Sequence, residues 1–374
     1  MRLALRLISI CLLILQFSAI HEAQPTRTPV PGGNGDWFVE NAERAVDVRF
    51  AEFAGRQAMW LRNNTQVIRS DAEFADGTIE FDVAPMENGN FVGILFRRES
   101  ATYHENIYLR LHRSGLYNAL QYSPRINGSS TWQLYPEFNS NIALPRLAWT
   151  RLRVEVRGAR LEVFVNGEKE PVLKVDRLRG PTGKGRVAFW GRVNDKPQEW
   201  GAALSNISIR PRVPDANAGP LSNDPDPGSL KGFLTEWEAA DGGPATPEPG
   251  FDVAKLKDWK RANAEENGLV NLNRIFTVTR GRRTAFARTF IESAEAGRAK
   301  LELGYSDDVV VYLNGAAVYN GVNSYESRHP EFMGFVKPGF ENVFLDLRRG
   351  RNELVLAVTD GQVFGWGFAA RLIR

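Results

Sequence analysis

Period two recurs along both halves of this chain. Runs such as "GTIEFDVAP", "NFVGILFRR", "NIYLRLHRS", "TRLRVEVRG", "RLEVFVNG", "GRVAFWG" and "ALSNISIR" are short, alternating and rich in Val, Ile, Phe, Tyr and Trp. "NALQYSP" and "SSTWQLYP" read as further strands among them. The later half has the same texture in "TAFARTFIES", "AKLELGYSDDVVVYLNG", "ENVFLDLRRG", "NELVLAVTD" and "GFAARLIR". Only "DVAKLKDWKRANAEE", Asp252 to Glu266, carries helical spacing. Strands that alternate this way must bury one face against another sheet, so the expected fold class is all-β, built from sandwiches or jelly rolls.

Turn chemistry agrees. "LEVFVNGEKE" and "VVVYLNGAAV" place Asn166-Gly167 and Asn314-Gly315 between paired strands. Asn-Gly suits the two-residue type I′ turn, which needs positive φ at both central positions. The flanks of the two hairpins do not match, so they are convergent solutions to one turn and not a duplication.

A chain of 374 residues is long for one core and suits two domains. "PRVPDANAGPLSNDPDPGS" has no periodicity and is dense in Pro, Asp, Asn and Gly, as an interdomain linker would be. The expected organisation is a signal peptide over 1–23, a linker over 24–36, a first domain over 37–211, a linker over 212–230 and a second domain over 231–374. A cut in the second linker is expected to release two β-rich fragments.

Arg2 and Arg6 precede an uncharged apolar run from Leu7 to Ile20, too short to span a bilayer and suited to a signal-peptide core. Ala19 and Ala23 are the candidate cleavage positions. The protein is then expected to be secreted or periplasmic, without membrane insertion after signal removal. Cys11 is the one cysteine and leaves with the signal, so no disulfide framework is expected. The formal charge is +3, and loss of Arg2, Arg6 and Glu22 lowers it by one. Near-balance without a Lys/Arg block gives no footprint for nucleic acid.

Two resemblances follow from particular motifs. "WTRLRVEVRGARLEVFVNGE", "GKGRVAFWG" and "ALSNISI" resemble the concanavalin A-like lectin/glucanase sandwich, which also includes laminin-G-like modules. "AFARTFIES", "LELGYSDDVVVYLNGAAVYNG", "VFLDLRRGRNELVLAVTD" and "GWGFAARL" resemble the galactose-binding-like jelly roll. The first resemblance implies a glycan or polysaccharide ligand on a concave sheet face. The second implies an accessory module that binds sugar or packs on a partner, and an envelope protein is one such partner. Neither fixes an activity.

Glucanases of the first fold use Glu-x-Asp-x-x-Glu; "EFDVAPME" supplies Glu80 and Asp82 but Pro85 stands where the acid belongs. Alginate-type lyases use Arg, Gln, His and Tyr, and their motifs are not matched. No metal motif is present. The jelly-roll resemblance leaves Ca2+ at Asp307 and Asp308 open, against the commoner explanation of an Asp-capped surface turn; no other cofactor is implied. In "ENIYLRLHRSG", alternation puts Ile107, Leu109 and Leu111 on one face and Tyr108, Arg110 and His112 on the other. "ALQYSPRINGSSTWQLYPEF" adds Gln121, Trp132, Gln133 and Tyr135. Aromatic rings stack on sugars, and Arg and Gln donate to hydroxyls or carboxylates. These seven residues form the expected glycan site; the competing explanation is an exposed polar face on an edge strand. Trp366, between two glycines, is expected to plug a core. The leading expectation is an exported carbohydrate-binding protein without catalytic activity, the alternatives a glycoside hydrolase or polysaccharide lyase built on the first sandwich, or an envelope protein–protein interaction module.

Overall fold

The computed structural model describes residues 27–213, 230–244, 251–278 and 281–374. The expected signal segment with Cys11, and almost all of the expected second linker, lie outside the described residues. Within them the chain is all-β, and its two parts are each a pair of antiparallel sheets.

In the first part, one sheet runs Thr28–Pro29, Trp37–Val39, Val67–Phe74, Gly185–Arg192, Phe91–Ser100 and Tyr103–Arg110, and continues into the short strands Leu120–Tyr122 and Arg125–Ile126. The facing sheet is ordered Leu173–Val175, Arg160–Val165, Thr150–Arg157, Asp76–Pro85, Ala202–Arg212, Arg56–Leu61 and Val48–Phe53. The expected concanavalin-like sandwich is therefore present. Its core is filled by the inward phase of each strand: Val92, Ile94 and Phe96; Ile107 and Leu109; Val187 and Phe189; Ile79, Phe81 and Val83. Strand Tyr103–Arg110 has neighbours on both sides, so it is not an edge.

The second part packs a six-stranded sheet against a four-stranded one. The longest pairing joins Arg283–Ser293 to Gly350–Asp360. Trp366 is fully buried there, its Nε1 donating to the carbonyl of Val358 at 2.9 Å, which matches the core-plug expectation. Both Asn-Gly turns have the required geometry, with φ of 50° and 79° at Asn166 and Gly167 and 51° and 84° at Asn314 and Gly315.

Four local expectations are corrected. Asp252–Glu266 is not helical: Val253–Lys255 is a single 3-10 turn and Lys260–Asn263 is a strand paired with Glu236–Gly243. Its apolar residues Val253, Leu256 and Trp259, with the preceding Phe251, instead pack on the outer face of the six-stranded sheet. "SSTWQLYP" is a two-residue strand followed by a 3-10 turn over Thr131–Gln133. The alternation in "ENIYLRLHRSG" stops at Arg110, where Leu111–Arg113 turns. Asp307 is no surface turn: it is buried, opens a strand, and accepts the backbone N–H groups of Gly361 and Gln362.

The two sandwiches meet along a continuous seam. Val278 N donates to Asn127 O, Ser130 N to Val363 O, Gln133 N to Phe364 O and Val336 N to Gln133 O, at 2.9–3.1 Å. Leu269, Val336 and Ala369 of the second part belong to the same apolar cluster as Leu134 and Tyr135 of the first. A Cβ at Gly365 would come within 2.7 Å of the Leu134 side chain, so a bare backbone is needed at that contact.

Candidate functional site

A cavity of about 560 Å³ lies on the face of the first sandwich turned away from its core. Strict alternation builds it. On Tyr103–Arg110 the odd positions Ile107 and Leu109 are core, and the even positions His104, Asn106, Tyr108 and Arg110 line the cavity. On Gly185–Arg192, Val187 and Phe189 go inward, Trp190 and Arg192 outward. On the short strand Leu120–Tyr122, Gln121 faces out between Leu120 and Tyr122. Tyr325 and Gln362–Phe364, from loops of the second sandwich, form the remaining wall. Trp132 stands at the junction, its ring 5.7 Å from Tyr325 and 5.2 Å from Phe364.

The floor is an aromatic platform. Trp190 pairs in register with Gly93, and a Cβ there would lie 2.3 Å from the Trp190 Nε1. The indole can cover that position only because no side chain occupies it. Trp190 Nε1 donates to Asn106 Oδ1 at 3.1 Å, and Asn106 Nδ2 to Ser123 O at 3.2 Å, which fixes the ring. Phe91 stacks with Trp190 at 6.5 Å and 26°, and Tyr108 lies 6.1 Å from each. The Tyr108 hydroxyl donates to Gln121 Oε1 at 2.5 Å, and Gln121 Nε2 donates to Asn139 Oδ1. Burial raises the Tyr108 phenol well above its usual range, so it stays protonated and keeps this bond.

Both histidines in the cavity are held toward the neutral form. His104 is pushed down to about 3, first by burial and further by Arg125 and Arg98. His112 is lowered by desolvation, with Arg110, Arg113 and Arg146 adding to it. The Nδ1 of His104 lies 3.1 Å from the carbonyl of Ser100, and that of His112 lies 3.0 Å from the carbonyl of Asn90. A carbonyl can only accept, so Nδ1 carries the proton in each ring and Nε2 keeps the lone pair. Arg192 lies over the Phe91 ring at 4.6 Å. Among the described residues lining the cavity there is no Asp or Glu; its polar groups are amides, hydroxyls, imidazoles and guanidinium groups.

The structure brings Tyr108, Arg110, His112, Gln121 and Trp132 into this one cavity. Gln133 and Tyr135 lie elsewhere. Gln133 is fully buried, donating from Nε2 to Met333 O at 3.1 Å across the seam. The Tyr135 hydroxyl sits 3.0 Å from both oxygens of Glu265 and accepts from Asn271 Nδ2 at 2.9 Å. The 3-10 turn over Thr131–Gln133 rotates the two residues away from the sheet face that a strand would have given them. Phe91, His104, Asn106, Trp190, Arg192 and the wall from the second sandwich were missed. The first five were accessible through the same period-two phase in "NFVGILFRR", "YHENIYLR" and "GRVAFWGR". The wall has no local signal, because it depends on how two domains dock.

The rejected sites keep a structural explanation. Glu80 and Asp82 lie on the facing sheet, where Arg151 and Arg210 pair with Glu80, and Arg56 and Arg151 with Asp82. Asp308 pairs with Arg282. Among the described residues no group of three or more His, Cys, Asp or Glu is placed to hold a metal ion.

Residues 35–200 match the family model of the 3-keto-alpha-glucoside-1,2-lyase-like domain. That span ends within the first sandwich and contains every sheet-borne residue of the cavity. No curated protein matches the chain in sequence. Among solved structures, the carbohydrate-binding module CBM66 from Bacillus subtilis is 13% identical over 46% of this chain and 93% of its own, with a TM-score of 0.34. Domain 4 of the extracellular arabinanase AbnA from Geobacillus stearothermophilus, solved with arabinotriose, is 13% identical over 43% of this chain and 73% of its own, at 0.30. The Caenorhabditis elegans galectin LEC-6 is 12% identical over 44% and 96%, at 0.28.

Proposed function

We propose that the protein is an exported glycan-binding protein whose site is the cleft between its two sandwiches. The observation that carries this is the platform of Phe91, Tyr108 and Trp190, ringed by amides and guanidinium groups. A sugar ring offers an apolar face to such a platform and its hydroxyls to the ring of donors and acceptors. The family match over the first sandwich supports a saccharide as the ligand class. The signal-like start supports export. The second sandwich, with its galactose-binding-like motifs, acts as an accessory domain that supplies one wall. Binding without turnover is favoured because a pair of carboxylates, the usual apparatus of glycoside hydrolysis, does not line the cleft among the described residues.

The test is a glycan array on the protein from residue 24 onward, run beside reducing-end and 235 nm unsaturated-product assays. Binding without product supports the proposal; no glycan bound by the intact protein overturns it.

A second reading is a lyase, favoured by the name of the matching family. Elimination from a 3-keto-glucoside needs a base that takes the C2 proton, made acidic by the ketone, while the C1–oxygen bond breaks. His112 fits that role, with Nδ1–H engaged by Asn90 and a free lone pair on Nε2. Enone formation from a 3-keto-α-glucoside, abolished by His112→Ala, would replace the binding reading with this one.

A further inference from the structure

We propose that the cleft selects glycans carrying an anionic substituent, a carboxylate or sulfate on the sugar ring, through Arg110, Arg125 and Arg192. The inference deepens the proposed glycan reading and rests on it.

Three guanidinium groups line one cavity, and no Asp or Glu lines it with them among the described residues. None of the three takes part in any ion pair described for the chain. Elsewhere the pattern is the reverse: Arg97 pairs with Asp76, Arg98 with Glu40, Arg179 with Glu265 and Glu266, and Arg274 with Glu265. Those four arginines of the seam and the sheet interior are thus paired with carboxylates, and the three of the cleft form no such pair.

The unpaired groups are also unsatisfied. Arg110 Nη1 and Arg192 Nε are enclosed and have no hydrogen-bond partner. Arg125 spends its Nη1 on the carbonyl of Gly128 at 2.8 Å, which anchors the side chain and leaves its charge uncompensated. Enclosed cations without counter-charge are costly, and an anion entering among them gains charge-assisted hydrogen bonds while relieving their repulsion. The field is visible in neighbouring groups. Burial and then Arg192 lower Arg125, and burial lowers Arg192 although Tyr108 and Asp195 act in the opposite direction. The same cations help hold His104 and His112 neutral, so both rings present acceptors to sugar hydroxyls without adding charge. Arg192 lies against Phe91, at the edge of the aromatic platform, so the sugar ring and its anionic group are recognised side by side.

The experiment uses the intact protein and paired ligands. Oligogalacturonates and alginate oligomers are compared with their carboxyl-reduced counterparts, and a sulfated galactan oligomer with its desulfated form, by calorimetry at two salt concentrations. The expected result is at least tenfold tighter binding of one acidic member than of its neutral partner, with the difference shrinking at high salt. The uronate and sulfate arms tell which anion is preferred. Equal affinity for acidic and neutral partners overturns the inference and leaves the glycan reading standing. Failure to bind any acidic or neutral glycan overturns both. Arg192→Gln and Arg110→Gln should each lower acidic-ligand affinity several-fold more than neutral-ligand affinity, so that most of the acid preference is lost. Loss of neutral binding to the same degree, in variants with an unchanged melting curve, would make the arginines general sugar contacts and overturn the charge selectivity.

Discussion

Gly93 decides how the floor of the cleft can be built. Its α-carbon lies beneath the Trp190 indole, and the clash expected of any Cβ is with ring atoms at 2.3–2.8 Å. Gly93→Ala should therefore tilt Trp190 off the sheet, break its bond to Asn106, and cost roughly 1–3 kcal/mol of stability. A shift in tryptophan emission and a lower melting temperature report this; an unchanged spectrum would mean that the ring is held by something else. Trp190→Ala removes the platform itself and should weaken glycan binding by about 1 kcal/mol or more, measured by titration, with the sandwich core intact because the ring packs on the outer-face cluster of Phe38, Ile68, Leu95 and Ala188. A second residue-scale prediction concerns Glu105. It is completely buried, and burial pushes its carboxyl up to about 7, only partly offset by the Tyr122 hydroxyl at 2.7 Å and the N–H of Gly180 at 3.0 Å. The unfolded chain has an ordinary glutamate near 4.5. Between these values the folded state binds the extra proton, so this contribution is complete at low pH and is lost as pH rises through 7. Glu105→Gln should gain stability relative to the wild type from pH 5 to pH 8, by up to about 3 kcal/mol. His104 acts in the opposite sense: held near 3 when folded, it costs stability as pH falls below 6.5. The comparison must therefore be between variant and wild type by thermal melts at each pH; a constant offset would sink the assignment to Glu105.

The loop joining Gly350–Asp360 to Gly367–Ile373 puts backbone strain at the wall of the cleft. Val363 sits at φ 63°, a region where a β-branched side chain is costly. It is held there by Asp360 Oδ1, which accepts from Val363 N at 2.9 Å, and by the seam bond from Ser130 N to Val363 O. Val363→Asn, which tolerates that φ, should raise stability by about 1 kcal/mol and weaken binding if the valine side chain contacts the ligand. A drop in melting temperature would mean that valine packing outweighs the strain. Elements also explain what could be read in advance. Period two and the Asn-Gly turns gave the sheets, the hairpins and the outward phase of Tyr108 and Arg110, because those depend on neighbours in sequence. Asp252–Glu266 misled because its apolar spacing serves a sheet face: Phe251 stacks on Phe286 at 4.5 Å and 22°. Gln133 and Tyr135 misled because one 3-10 turn reverses the phase that a strand would keep. Tyr325 and Phe364 were illegible because their role exists only after docking.

At the scale of the molecule, the linker and the seam make different demands. Its composition alone implies that a cut between residues 214 and 229 frees two fragments. The seam argues that the cut ends will stay together. Tyr135 and Asn271 join Glu265 to the first sandwich, Arg274 bonds both Glu265 and the carbonyl of Arg179, and Arg179 pairs with Glu265 and Glu266. Beside this buried network runs the shared apolar cluster around Leu134 and Leu269, and beyond it Trp132 is enclosed by Tyr325, Phe335 and Phe364. Separation would expose those rings and leave Tyr135 and Arg179 without their buried partner Glu265. Limited proteolysis in the linker should therefore give two bands on a denaturing gel and one peak in size exclusion, with glycan binding retained. Tyr135→Phe removes one hydroxyl from the network without changing the packing. It should cost roughly 1–3 kcal/mol and lower the denaturant concentration at which the nicked halves part. Two peaks from the nicked wild type under native conditions would show that the halves are held by the tether alone, and the cleft between them would then have no fixed second wall.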